Sequence, residues 1–403
     1  MDYDYNLNDS RVTFTKAESI KIDHFKNTDF WKALEFRSRG EDLFYYKASD
    51  IKVLNNDSLP IVNISGNVYI IEWDRPFFHV MHDIVGEFLL IKEVIPDLKP
   101  VIIYNGPFKD PKIVFDKFYG ALLKKPDFIE DLLESIDFDY DNFFFIPSDG
   151  NIFIENLYTI SLYGDGFQSD LFYRINEMLD NAMLDIDNDG SYSYRFAVTL
   201  AMKNKFKNNN NEVIPYRKIF VSIAHKRNIM DRSKMLYDFL DSNGVTWSID
   251  WRTPQNTSKV DGLDLSAFLP AQFNSGVKDA HLRYFTKDFE EEIEDFFRQN
   301  GFEIVTLEGT SLKDQIRMMS EAKVVAVWAG ASELQSLFVQ DGSTFIYIAP
   351  KMTYGFPHED ILEVIKPDAK IIFDKRRYEN FEKEFDSATI IKAVKKILKE
   401  IQE

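Results

Sequence analysis

The stretch that most limits what this chain can become is residues 311–350, SLKDQIRMMSEAKVVAVWAGASELQSLFVQDGSTFIYIAP. It reads as a helix, a buried strand, a tight turn of small residues, a second helix and another buried strand. Residues 323–328 are a short apolar run rich in β-branched side chains, the pattern of a parallel strand covered on both faces. The run stops at Ala329, Gly330, Ala331 and Ser332, where small side chains permit close approach to the backbone and Ser332 is placed to cap the helix that follows. A helix that starts after a parallel strand offers free N–H groups and the positive end of its dipole to a phosphate. The same residues also suit plain strand-to-helix punctuation. No third glycine and no Gly-Lys-Ser/Thr follow, and Gly164-Asp165-Gly166 lacks a third glycine too, so neither a dinucleotide fingerprint nor a phosphate loop is supported.

The alternation extends in both directions. A C-terminal series begins with a strand at 218–223 and helices at 231–242 and 287–300, continues with a strand at 302–307 and the stretch above, and ends with a strand at 370–373 and a helix at 387–401. Before it come short strand patterns at 11–14 and 51–54, a strand at 67–73, a strongly periodic helix at 77–94 and a strand at 99–104. A helix-rich stretch at 110–136 and strands near 142–147 and 151–161 complete the N-terminal series. A polar, helical connector at 165–207 separates the two, and its end, KNKFKNNNNEV, is the most linker-like stretch of the chain. Alternating strands and helices imply parallel sheets. The expected fold is α/β, with two Rossmann-like domains and a ligand cleft between them. The boundaries expected are 1–207, 208–375 and a C-terminal helical segment at 376–403.

A length of 403 residues suits two domains of common size, and 45% hydrophobic residues supply their cores. No apolar run approaches bilayer length and the opening MDYDYNLNDS is unlike a signal peptide, so a cytoplasmic location is expected. The absence of cysteine excludes disulfides, thiolate zinc sites and cysteine nucleophiles. A net charge of −18 with no Lys/Arg-dense stretch argues against nucleic acid or an anionic membrane as partner, so phosphate recognition must rest on local donors. The Asn-, Lys-, Asp- and Phe-rich composition hints at a microbial or viral source with an AT-rich genome.

The best candidate for chemistry is HVMHD at residues 79–83, which holds two of the six histidines. On one helix, Met81, Ile84, Val85, Phe88 and Leu89 form an apolar stripe. His79, His82, Asp83 and Glu87 fall on the opposite one, where their side chains can converge. A histidine oriented by a carboxylate is a general-base arrangement. A merely solvated polar helix face has the same pattern. Zinc is disfavoured, since His-x-x-His supplies two ligands and no third is identifiable. Residues 185–190, DIDNDG, match the first half of an EF-hand loop, but Phe196 stands where the bidentate glutamate belongs, so they read as an acidic turn.

Taken in order, three stretches resemble the family 61 glycosyltransferases. His79 to Asp83 and the helix after them are similar to the family's His- and Asp-containing helix. Leu282-Arg283-Tyr284-Phe285-Thr286-Lys287-Asp288, an acidic helix and Gly301-Phe302 resemble its arginine-rich approach to an Asn-Glu helix start and a Gly-Phe strand. Ser311 to Gln315, the apolar strand and Ala331 to Phe338 resemble its Leu-Ser-x-x-Glu-Gln, buried strand and His-Gly-Ala-Gly-Leu-Thr-Asn segment. Ala329 stands where the family has that histidine, Ser332 for the second glycine, Gln335 for the asparagine, Ile223 for a strand-ending arginine and Lys287-Asp288 for Asn-Glu. Residues 228–280 look like an insertion.

The resemblance implies a GT-B-like, inverting hexosyl- or pentosyltransferase. It would move a sugar from a nucleotide diphosphate, most plausibly UDP, to a glycan or other hydroxyl acceptor, with no cofactor and no required metal. It implies His82 as the base, supported by Asp83 or His79. On the donor side it implies the backbone at Gly330, Ala331, Ser332 and Glu333, the cations Lys226, Arg227 and Arg283, and nucleotide contacts from Gln315 and Glu308. The alternative is a nucleotide-sugar-binding protein that has lost transfer. A sugar-nucleotide isomerase is disfavoured by the missing dinucleotide fingerprint.

Overall fold

The structure, a computed structural model, describes residues 3–7, 10–22, 44–71, 81, 85–104, 126–146, 150–160, 192–206, 214–222, 259–260, 263–264, 287–307, 309–328, 331–349, 370–373 and 387–402. It is a mixed α/β protein. Strands β1 (Tyr3–Leu7), β2 (Ser10–Phe14), β3 (Lys16–Lys21), β4 (Phe44–Leu54), β5 (Ile61–Ile70), β6 (Lys99–Tyr104), β7 (Phe143–Phe145) and β8 (Asn151–Thr159) form one sheet. Its order is β1-β2-β4-β8-β5-β6-β7, with β3 beside β4. Pairing is parallel across β8-β5-β6-β7 and antiparallel among β1 to β4 and between β4 and β8. The expectation of a parallel sheet therefore holds for the β8-to-β7 part and fails for the rest. Asn8 and Asp9 alone separate β1 from β2, and so short a connection fits an antiparallel hairpin, whereas a parallel crossover needs a dozen or more residues.

The second sheet is parallel throughout. Its strands β9 (Arg217–Val221), β12 (Glu303–Val305), β13 (Ala322–Trp328), β14 (Thr344–Ala349) and β15 (Lys370–Phe373) lie in the order β12-β9-β13-β14-β15. Between them in sequence, β10 (Lys259–Val260) and β11 (Leu263–Asp264) pair with each other. The described helices are α1 (Glu87–Val94), α2 (Pro126–Ser135), α3 (Tyr192–Phe206), α4 (Lys287–Gln299), α5 (Leu312–Ser320) and α6 (Ser387–Gln402), with 3-10 turns at Tyr140–Asn142 and Ala331–Phe338. Among the described residues no helix is long and apolar enough to cross a membrane.

Strand alternation divides the second sheet between two cores. Phe220, Val324, Ala326, Trp328, Ile346 and Ile348 pack with Ile293, Phe296 and Phe297 of α4 and Ile390, Val394 and Leu398 of α6. Spacings of three and four residues put each helix's apolar side chains on one stripe, and Phe297 stacks on Phe220 with ring centroids 4.2 Å apart. On the other face Ile219, Val221, Val325, Val327, Phe345 and Tyr347 join a cluster that also holds residues of α1, α2, α3, α5, the Ala331–Phe338 helix and, from the first sheet, Tyr69, Ile102 and Tyr158. One core thus touches both sheets.

Three local expectations change. Among the described residues of the helix read over 77–94, Met81, Val85 and Gly86 have the wider π-helical winding and Glu87–Val94 is α-helical. The connector read as polar ends in α3, whose Ala197, Val198, Ala201, Met202 and Phe206 are buried in the shared core. Ser332 is not a helix cap, since the helix after β13 is a 3-10 helix that already includes Ala331. The helix expected at 231–242 and the acidic turn at 185–190 lie outside the described residues.

Candidate active site

In the second sheet the chain leaves β9 toward β12 on one side, then crosses back to β13 and proceeds to β14 on the other. Strands β9 and β13 are neighbours whose following connections diverge, and a crevice outside the carboxyl ends of such strands is where open α/β sheets bind ligands. The segment holding Lys226 and Arg227 follows β9, and the one holding Gly330, Ala331, Ser332 and Glu333 follows β13. In the first sheet β5 has later strands on both sides. From β5 the chain moves to β6 and β7 on one side and returns to β8 on the other, and His79, His82 and Asp83 follow β5. His79, His82, Asp83, Lys226, Arg227, Arg283, Glu308 and Gly330 themselves lie outside the described residues.

Of the expected donor-side residues, Gln315, Ala331, Ser332 and Glu333 are described. Gln315 is fully buried at 0% exposure. Its place follows from α5: Ser311 caps the helix by accepting from the Asp314 N–H at 3.1 Å, and Leu312, Gln315 and Met319 share the inward stripe. The Gln315 Nε2 donates to the Thr310 carbonyl at 3.0 Å, and its Oε1 accepts from the Gln335 Nε2, also at 3.0 Å. Gln315 thus spends both ends of its amide inside the protein. Gln335 is buried as well, and its Oε1 has no hydrogen-bond partner among the described residues. Ser336 donates from Oγ to the Glu333 carbonyl at 2.6 Å, tying down the first turn of the same helix. The Glu333 side chain is wholly buried and that of Ser332 half-buried.

After β9, Ser222 is buried, its N–H donating to the Val305 carbonyl at 2.9 Å and its Oγ to Glu294 Oε1 at 2.5 Å. That fixes where the chain leaves the sheet.

On the other side, Glu87 departs from its expected place. The sequence pattern groups it with the polar stripe of His79, His82 and Asp83, yet it is 2% exposed and accepts from the Tyr69 hydroxyl at 2.9 Å. Tyr69 is the penultimate residue of β5 and packs its ring 6.0 Å from that of Phe88. The start of α1 is buried all round, Glu87, Phe88, Leu89, Leu90 and Ile91 alike, so a polar position on the helix wheel does not reach solvent there. The apolar stripe behaves as read, with Met81, Val85, Phe88 and Leu89 all buried.

Sequence reading missed Gln335 and Tyr69 as site-shaping residues. A signal for the first existed: Gln315 sits on an otherwise apolar i, i+3, i+7 stripe, so a polar partner for it had to lie across the contact.

No curated protein matches the chain. A family model described as Glycosyltransferase 61 matches residues 279–346, a span that runs through α4, β12, α5, β13 and the Ala331–Phe338 helix into β14. It includes Arg283, Glu308, Gln315, Gly330, Ala331, Ser332 and Glu333, but not Lys226, Arg227 or the histidines at 79 and 82. This match supports membership of glycosyltransferase family 61 for the chain and, with it, glycosyltransferase chemistry acting on a sugar donor and an acceptor.

Proposed function

We propose that the chain is an inverting, metal-independent, GT-B-like glycosyltransferase that moves a hexosyl or pentosyl group from a UDP-sugar to a hydroxyl of a glycan or other acceptor. The observation that carries this is the family match across the β12-to-β14 stretch, the part of the chain that leads to the turn after β13. In this reading residues 1–207 serve the acceptor, residues 208–375 the donor, and residues 376–403 buttress the donor side. His82, supported by Asp83 or His79, takes the proton from the acceptor hydroxyl as its oxygen attacks the anomeric carbon. The bond from that carbon to the diphosphate breaks with its electrons staying on the diphosphate oxygen. Backbone N–H groups at Ala331 to Glu333 and the cations Lys226, Arg227 and Arg283 compensate the charge that develops there. Gln315 positions rather than contacts, since its amide is already spent internally. Cytoplasmic action on a soluble donor belongs to the same proposal.

A panel of nucleotides and nucleotide sugars in a thermal-shift assay tests the donor, because a ligand that binds the native state raises its apparent stability. UDP and a UDP-sugar are expected to protect, Gly330→Val to abolish protection by blocking backbone approach, and EDTA to leave transfer unchanged. A general base contributes about 10²- to 10⁴-fold to a rate, so His82→Ala should lower turnover by that order while UDP affinity stays near wild type. A fully active His82→Ala variant would remove it as the base.

The second reading is a binder that has lost transfer. It is favoured by the altered donor motif, with Ala329, Ser332 and Gln335 in the places of the family's histidine, second glycine and asparagine. Protection by UDP-sugars with no transfer to any hydroxyl acceptor would select it.

A further inference from the structure

The amide chain from Thr310 through Gln315 to Gln335 joins the turn and helix that follow β12 to the 3-10 helix that follows β13, two strands on either side of β9. Thr310 closes the turn after β12, its N–H donating to the Leu307 carbonyl at 3.2 Å. Gln315 belongs to α5, and Gln335 to the 3-10 helix after β13. Apolar side chains alone would pack α5 against that helix: Leu312, Met319, Leu334, Leu337 and Phe338 already share one cluster. A buried amide pair adds little net stability over apolar residues of the same shape, and here one buried acceptor, Gln335 Oε1, has no partner among the described residues. What the pair adds is direction: the Thr310 carbonyl holds the Gln315 amide at 3.0 Å, and that amide in turn accepts from Gln335 of the 3-10 helix at 3.0 Å, a directional link that methyl and methylene contacts do not supply.

The residues whose placement depends on that link are Ala331, Ser332 and Glu333, the first turn of the helix. The first N–H groups of any helix have no partner within it. We propose that Gln335, acting through Gln315, is a positioning residue for the donor: the amide pair orients the 3-10 helix and so sets where the backbone N–H groups of Ala331 to Glu333 meet a diphosphate. The inference rests on the donor-side reading given above. Gln335 touches no ligand in this scheme. Its contribution is precision of place, which the apolar packing alone does not supply.

The consequence is a variant whose folding and binding part company. In Gln335→Leu the unpartnered Gln335 Oε1 is gone and Gln315 Oε1 loses its donor instead, so the count of buried acceptors without partners in this group is unchanged and the melting temperature without ligand should stay close to wild type. Affinity for the nucleoside diphosphate should fall about tenfold or more, a loss of about 1.4 kcal/mol in binding. The measurement is titration calorimetry well below the melting temperature, using whichever of UDP, GDP, CDP and dTDP protects the wild type best. Gln315→Leu is measured beside it. If the two glutamines act as one unit, each single variant and the double variant weaken binding by the same factor. Unchanged affinity in a folded Gln335→Leu, or additive losses in the double variant, would overturn the proposal while leaving the donor site standing. Should Gln335→Leu fail to fold, Gln315→Leu with unchanged affinity does the same. A wild-type protein that binds none of the four nucleotides takes down the donor reading, and this inference with it.

Discussion

Asn151 ties a turn of the first sheet to a strand through four hydrogen bonds. It is the first residue of β8 and 2% exposed, and its Oδ1 accepts from the N–H groups of Asn55 and Asn56 at 2.8 and 3.0 Å. Its Nδ2 donates to the carbonyls of Asn56 and Leu59 at 2.6 and 2.8 Å. The turn between β4 and β5 is thereby tied to the start of the strand that lies between them. Asn151→Ala leaves several backbone groups without partners and should cost about 2–3 kcal/mol in chemical denaturation. Asn151→Asp separates the two halves of the role. The new carboxylate still accepts from both N–H groups but faces two carbonyls, which favours its protonated, donating form in the folded state. Its folded pKa is then raised, so the variant should be more destabilised at pH 7 than near pH 4. Equal losses at the two pH values would mean that the carbonyl contacts contribute nothing. None of this could be read from one Asn among many, because its four partners are defined by pairing between strands about 95 residues apart.

At the scale of elements, α1 and α3 approach so closely that only glycine fits at residue 86. A Cβ there would fall inside contact distance of the Val198 Cγ1 and 3.0 Å from the Met202 Sδ. Gly86 has φ −64° and ψ −42°, ordinary helical values, so crowding rather than backbone strain decides the outcome. Alanine gains about 1 kcal/mol of helix propensity, while overpacking a filled core costs about 1–3 kcal/mol. Val198 is branched at Cβ and cannot swing aside. Gly86→Ala should therefore destabilise the protein, and Val198→Ala on the same background should recover part of the loss although it is itself a cavity-forming change. A double-mutant cycle from urea denaturation with no coupling between the two sites would show that the helices do not meet as closely as this. Of the helix read from residue 77, Glu87–Val94 is α-helical and Met81, Val85 and Gly86 are π-helical, a winding that a 3.6-residue period does not distinguish. Strands such as β6 and β15 were legible to the residue, being short apolar runs between turn signals. The Ala331–Phe338 helix was legible as helix but not as 3-10: residues 333–338 are buried on every side, so no polar face marks the period. The antiparallel half of the first sheet was hidden too, since which strands pair is a long-range fact.

For the molecule as a whole, the polar stretch after residue 206 suggested two units that meet at a cleft, yet the described helices put a common core between the sheets. Helix α3 is the strut. Gly86, at the start of α1, lies against its Val198 and Met202, while Phe206 meets Phe338 of the 3-10 helix edge-on at 5.9 Å and Lys203 lies 3.5 Å from Asp341. A second tie runs from α5 to α2, where the Lys313 N–H donates to Asp131 at 2.9 Å and its ammonium reaches Glu134 at 2.7 Å. Glu134 first and Asp131 second hold that ammonium above its ordinary pKa, but the pair is exposed, and exposed pairs contribute little to stability. The apolar contact through α3 is the stronger link, and domains joined by a substantial hydrophobic interface do not move as free bodies. The expected behaviour is one cooperative transition, with circular dichroism and tryptophan fluorescence giving the same midpoint and the calorimetric enthalpy equal to the van't Hoff value. Phe206→Ala should lower that single midpoint, since removing a buried Phe side chain costs about 3–5 kcal/mol. Two resolved transitions, with Phe206→Ala moving one of them alone, would mean that the sheets fold as separate units and that α3 belongs to one of them.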